Sequence, residues 1–317
     1  MNERKLPFSV NILKILYVLN GILVVFFLTT LVLWNNLDQI LSEPPISPEQ
    51  YLNTHPWVLI EIGEWSMIWA EPSSSILVYI LGILTITIGV LLENKGRKSG
   101  EQNLREEKLE QRLCTSSFVR IWGVALIIWG IGTMAAGTSY QALFYELKCS
   151  NRAVCLWTTW WEIVYLVLTV LSINGMVLAQ SKLRSLRTKI AMRIYASANM
   201  AIYLTIITLG MLLVNPFMLS FEVMVLLQFV SFLFMMIQNV IVYRKTNAKI
   251  ERSLIKIWLG MAVVMISYFG FYYSTIPELL WTKGIWFNAN DLLHVGLILW
   301  MTAIFYVMNK QIRINNQ

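Results

Sequence analysis

Residues 181–220 read SKLRSLRTKIAMRIYASANMAIYLTIITLGMLLVNPFMLS. The stretch opens on Lys182, Arg184, Arg187, Lys189 and Arg193, runs without a charge from Ile194 to Val214, and turns at Asn215-Pro216. An apolar run of this length matches the roughly 20 residues that cross a hydrocarbon layer. A basic flank on one side only is the signature of a segment whose start is held in the cytoplasm. Beyond the Asn-Pro turn dipeptide, a second apolar run ends on Arg244 and Lys245, so the two runs are predicted to form an antiparallel hairpin whose tip lies outside.

The same alternation extends over the whole chain. Of its 25 Lys and Arg, all but Lys148, Arg152 and Lys283 fall in every second connection, in the set that includes both termini. The positive-inside rule then predicts an all-α, polytopic integral membrane bundle with cytoplasmic N and C termini, in the cell membrane. Spans are predicted at about 12–35, 73–92, 118–146, 157–180, 193–214, 217–243, 255–275 and 289–309, and an even number of them agrees with both ends lying on one side. The chain reads as one transmembrane domain over residues 1–317. Hydrophobic residues make up 57% of it and charged ones 14%, too little polar surface to coat a soluble globule. The net charge of +7 is spread over juxtamembrane loops, where it meets anionic headgroups, so nucleic acid is excluded as a partner and the bilayer is the expected one. The start of the chain has the basic residues of a signal peptide, but its apolar core is too long for one and reads as a retained first helix.

Two non-spanning regions stand out. Residues 93–117 form a charged loop expected in the cytoplasm, with i,i+4 charge neighbours that suit a solvated helix. Residues 36–72 form an acidic outer loop containing Pro44, Pro45, Pro48 and Pro56, followed by the run from Trp57 to Trp69. The near-helical spacing of Trp57, Ile60, Trp65 and Ile68 predicts a helix lying in the outer headgroup layer. Cys149 and Cys155 share one short outer loop, where an oxidising environment permits a disulfide, whereas Cys114 falls on the cytoplasmic side.

Ionisable residues at membrane depth are costly and are functional candidates by default. Glu71, Glu146, Glu162, Glu222, Asp291 and His294 all fall near the outer ends of their spans, which predicts a polar pocket open to the outside, completed by Tyr140, Gln141 and Asn290. Capping is the alternative for several of them. Glu71 precedes Pro72 at a helix start, Thr159 to Glu162 has capping-box spacing, and Asn288 to Asp291 suits a helix N-terminus. His294 lies one turn after Asp291, a spacing at which a carboxylate orients an imidazole or both hold a metal. The catalytic candidates are therefore His294, Asp291, Glu162 and Glu71, and a divalent metal would draw on His294, Asp291 and Glu71.

Three stretches resemble the alkaline ceramidase and progestin/adiponectin-receptor superfamily. They are Ala70-Glu71-Pro72-Ser73-Ser74-Ser75, the segment from Gly130 to Gln141, and Asn290-Asp291-Leu292-Leu293-His294. The resemblance implies a seven-helix fold, an intramembrane zinc and cleavage of lipid amides. The third span has no His, however, with Tyr140 and Gln141 near the expected place, and the last pair retains only His294. Three functional classes remain. The first, favoured by the missing histidines, is binding of a lipid or small molecule from the outer side without turnover. The others are metal-dependent hydrolysis of a lipid amide and transport.

Overall fold

The computed structural model describes residues 33–101 and 106–315. Its long helices are α3 (Pro72–Glu101), α4 (Glu106–Ala136), α5 (Trp160–Ser181), α6 (Leu186–Leu212), α7 (Phe221–Thr246), α8 (Lys249–Tyr272) and α10 (Ala289–Asn315), and the short ones are α1 (Trp34–Leu37), α2 (Pro48–Thr54) and α9 (Ile276–Thr282). Among the described residues, seven helices are long and apolar enough to cross a membrane, and the molecule is a multi-pass membrane bundle. The predicted first span, 12–35, lies almost wholly outside the described residues. The other seven predicted spans each coincide with one of these helices.

The tightest contact is set by glycine. Gly82, Gly89 and Gly96 repeat every seven residues on α3 and face Gly130, Gly123 and Ser116 on α4. A Cβ placed on Gly89 would lie 2.6 Å from the Gly123 carbonyl oxygen, one on Gly123 would lie 2.6 Å from that of Gly89, and one on Gly130 would lie 2.7 Å from that of Gly82. Small residues are what allow two backbones in lipid to approach this closely. Ser116 closes the row by donating from Oγ to the Gly96 carbonyl at 2.6 Å.

From this pair the bundle closes into a ring. Helix α3 packs on α4 and α10, α4 on α5, α5 on α7, α7 on α8, and α8 on α10, while α6 flanks α5 from outside the ring. Toward the basic end the ring is filled by tryptophans. Trp122 stacks on Trp258 at 5.9 Å, Trp258 and Trp129 both meet Trp300, and Trp300 donates from Nε1 to the Ile257 carbonyl at 2.8 Å. Such rings bury large apolar area, and one buried backbone acceptor is satisfied as well.

At the opposite end, α4 does not simply stop. It continues as two short π-helical stretches, Gly137–Ala142 and Tyr145–Cys149, whose wider turns re-aim side chains and recur at functional positions. The chain then closes the Cys149–Cys155 disulfide, as its position in a short loop predicted. The 36–72 segment covers this region. Tyr51 of α2 stacks between His55 and Phe144, each at 4.3 Å, and Cys155 donates its N–H to the Ile46 carbonyl at 2.9 Å.

The run from Trp57 to Trp69 is not the expected interfacial helix. It forms a β-hairpin of β1 (Trp57–Ile62) and β2 (Trp65–Ala70), with Ile62 opposite Trp65. Gly63 takes φ +63° at the first position of a two-residue loop, where a hairpin turn calls for positive φ. The β-branched Val58, Ile60, Ile62 and Ile68 favour the pleat. Because apolar residues occupy both faces of this run, a helical spacing can be drawn through it that the backbone does not follow.

Candidate functional site

The predicted outer pocket separates into three arrangements. In the first, the start of the last span is locked to the start of α3. Asn288 Oδ1 accepts from the backbone N–H of Asp291 at 3.1 Å, and Asp291 Oδ2 accepts from that of Asn288 at 2.7 Å, a reciprocal capping box. Asp291 also accepts from Ser74 at 3.0 Å and Ser73 at 3.2 Å. Asn288 in turn donates from Nδ2 to Glu71 Oε2 at 3.0 Å, and Asn290 hydrogen-bonds the same carboxyl. Burial pushes the Glu71 carboxyl up to about 7 against those hydrogen bonds, and the charge of Asp291 adds to the rise. Glu71 also holds φ +42°, so the joint between hairpin and span is conformationally constrained.

The second arrangement is a buried ion pair. Lys148 Nζ lies 2.5 Å from Glu162 Oε1, the two side chains being 2% and 1% exposed. Lys148 also donates to the Trp157 carbonyl at 2.8 Å and sits over the rings of Tyr140 and Phe144 at 5.1 and 4.7 Å. Ser139 donates to Glu162 at 2.9 Å and pairs with Thr159 Oγ1 at 2.5 Å. Glu162 is therefore not the capping-box acid that its spacing from Thr159 allowed, since Thr159 makes no side-chain cap. Glu146 has a separate task, accepting the backbone N–H of Ile68 at 2.9 Å and tying the hairpin down. Gln141 is buried, with Oε1 lacking a partner among the described residues.

The third arrangement is a cavity of about 890 Å³ lined from all six helices of the ring and not from α6, and open to the surface past the exposed Leu226, Phe229 and Ile266. Its walls include Val78, Trp129, Tyr165, Phe232, Met261 and Leu297, with Glu222, Gln228 and His294 as its main polar groups. His294 does not pair with Asp291, whose oxygens are taken by the cap. It is 6% exposed, and its Nδ1 has no partner among the described residues. Gln228 is 2% exposed, its Nε2 is equally unpartnered, and Oε1 accepts from Ser231 at 3.4 Å. The volume falls in the upper part of the roughly 300–1,000 Å³ range of small-molecule sites.

Some functional-looking residues escaped the sequence reading. Lys148 had registered there only as an exception to the basic alternation, and its position beside the disulfide was the one available hint of a buried partner. Arg184 had registered as a topogenic charge. It is buried, donating to Glu251 Oε1 at 2.5 Å and Oε2 at 2.9 Å and to Asn239 Oδ1 at 2.5 Å. This pins the α5–α6 turn to the α7–α8 turn at the basic end. Midway, Asn199 donates to Asn174 at 3.1 Å, and Ser231 pairs with Tyr195 at 2.9 Å. Two turns of α7 separate Ser231 from Asn239, and Met235 between them is fully buried in the apolar core. The polar groups thus do not join into a path along α7.

The zinc set that the family resemblance implies finds no fit here. Among the described residues no three His, Cys, Asp or Glu lie close enough to hold a metal ion, and Asp291 and Glu71 are spent on the cap. Comparison with protein-family models, with curated proteins and with solved structures gives no match to this chain.

Proposed function

We propose that this multi-pass protein resides in the cell membrane and binds a lipid or small molecule within its helical ring, without turnover. The disulfide end faces outside and the termini face the cytoplasm. The orientation draws on the distribution of Lys and Arg and on the disulfide, which needs an oxidising compartment. The observation that carries the binding reading is the cavity of about 890 Å³ with His294 Nδ1 and Gln228 Nε2 buried and unpartnered against it. A buried polar atom without a partner costs about 1–3 kcal/mol, and a ligand oxygen removes that cost. Apolar walls supply the affinity and the few polar atoms the orientation.

The test is mass spectrometry of the intact protein released from detergent, comparing wild type with Gly270→Phe/Ala262→Phe. Both positions line the cavity and are exposed at its open side, and a Cβ at Gly270 meets nothing within 4 Å, so bulk there narrows the cavity without a backbone clash. A co-purified adduct on the wild type that disappears in the variant is the expected result. An adduct retained equally by both, or none on either, contradicts the reading.

A further inference from the structure

The cavity also carries information about the charge of its occupant, an inference that rests on the cavity being a ligand site. Among the described residues no Lys or Arg lines it, and the one carboxylate belongs to Glu222, an exposed residue at the start of α7. The buried polar atoms without partners along its lining are Nδ1 of His294, Nε2 of Gln228, Oγ1 of Thr169 and Nε1 of Trp258. His294 lies five residues into α10 and Gln228 seven residues into α7. At about 1.5 Å per residue the two therefore sit at similar depth below the disulfide end. Beyond that depth the walls are aromatic and methionine side chains, among them Phe232, Met236, Trp258 and Met261. Methionine adapts to chains of differing shape.

We propose that the cavity selects an uncharged long-chain lipid bearing a hydroxyl or ester group, held at the level of His294 and Gln228 with its chain along the aromatic and methionine walls. Gln228 Nε2 is a donor and calls for a ligand oxygen. His294 exchanges a hydrogen bond with a hydroxyl in either tautomer and donates to an ester carbonyl from a protonated nitrogen. A carboxylate, phosphate or quaternary ammonium drawn to this depth would lose its hydration with no opposite charge to meet it. Selection against charge is thus built from the absence of a counter-ion, and selection for an oxygen from the unpartnered groups, with Gln228 and His294 setting its level.

Three photoactivatable probes of equal chain length test this on the full chain in detergent. Each carries a diazirine on the chain, and the headgroups are a hydroxyl, a carboxylate held above its pKa and a quaternary ammonium. Site-resolved mass spectrometry compares labelling at Met236 and Met261 with labelling at Leu299, which is exposed on α10 and does not line the cavity. The hydroxyl probe should label the two methionines about ten-fold or more above either charged probe, because a buried charge without a partner costs more than a hydrogen bond is worth. Gln228→Leu, and separately His294→Leu, should each lower labelling by the hydroxyl probe about five-fold, the worth of one net hydrogen bond, and leave the weaker labelling by the charged probes unchanged. Equal or stronger labelling by a charged probe overturns the uncharged class and leaves the cavity reading intact. If no probe labels the methionines more in wild type than in Gly270→Phe/Ala262→Phe, the cavity reading itself fails, and this inference fails with it.

Discussion

Single residues in this protein divide according to whether a partner waits for them. Lys148 and Glu162 are a matched pair, and removing one leaves the other as a buried lone charge, which costs about 3–5 kcal/mol. Lys148→Met and Glu162→Leu should each lower the thermal unfolding midpoint in detergent sharply, and the double variant should recover most of the loss. Single variants as stable as wild type would show that the pair is not buried as described. Glu71 makes a pH prediction. Its folded pKa is raised to about 7 from 4.5, so the stabilising protonated form is fully present below 4.5 and is lost as pH rises through about 7. Glu71→Gln should therefore match wild type at about pH 4 and exceed it at about pH 8 by up to roughly 3 kcal/mol. A constant difference across that range would refute the assignment. Glu71, Asp291 and His294 were legible as unusual residues because charge and imidazole are rare in apolar sequence. The partners that Glu71 and Asp291 find across the bundle were not, since Asn288 lies more than two hundred residues from Glu71, and Ser73 and Ser74 as far from Asp291.

At the level of elements, the α3–α4 glycine rows make the strictest demand. Gly89→Val or Gly123→Val forces a side chain into a carbonyl 2.6 Å away and should cost about 3 kcal/mol or more, the upper range for overpacking. Gly270→Leu, with open space around its Cβ, should be neutral or mildly stabilising, because Gly weakens a helix interior by about 1 kcal/mol. Comparing the midpoints of the two kinds of variant checks the packing directly, and equal losses would contradict it. The spans within the described residues were readable because a helix in lipid must hide every backbone polar group inside one long apolar run. The hairpin was not readable, since Trp57, Ile60, Trp65 and Ile68 satisfy a helical period while Val58, Ile60 and Ile62 satisfy a strand period in the same run, and the turn at Gly63 favours the strands. The π turns after Ala136 leave no trace in composition.

On the scale of the molecule, orientation and cavity are separate claims with separate tests. If the disulfide end faces outside, an impermeant thiol reagent on intact cells should label Ile62→Cys, at the hairpin tip, and should reach Cys114 only after permeabilisation. The reverse pattern would invert the topology. The proposed orientation rests on the basic loops of the sequence, which carry no sign of the cavity. A cavity is space left where six helices from distant parts of the chain fail to fill their ring, and no local pattern encodes that. The most direct measurement is a density map of the full chain in lipid nanodiscs. An elongated density is expected inside the ring of α3, α4, α5, α7, α8 and α10, ending within hydrogen-bond distance of His294 and Gln228. A ring closed by protein side chains, or holding only water around His294, would contradict it.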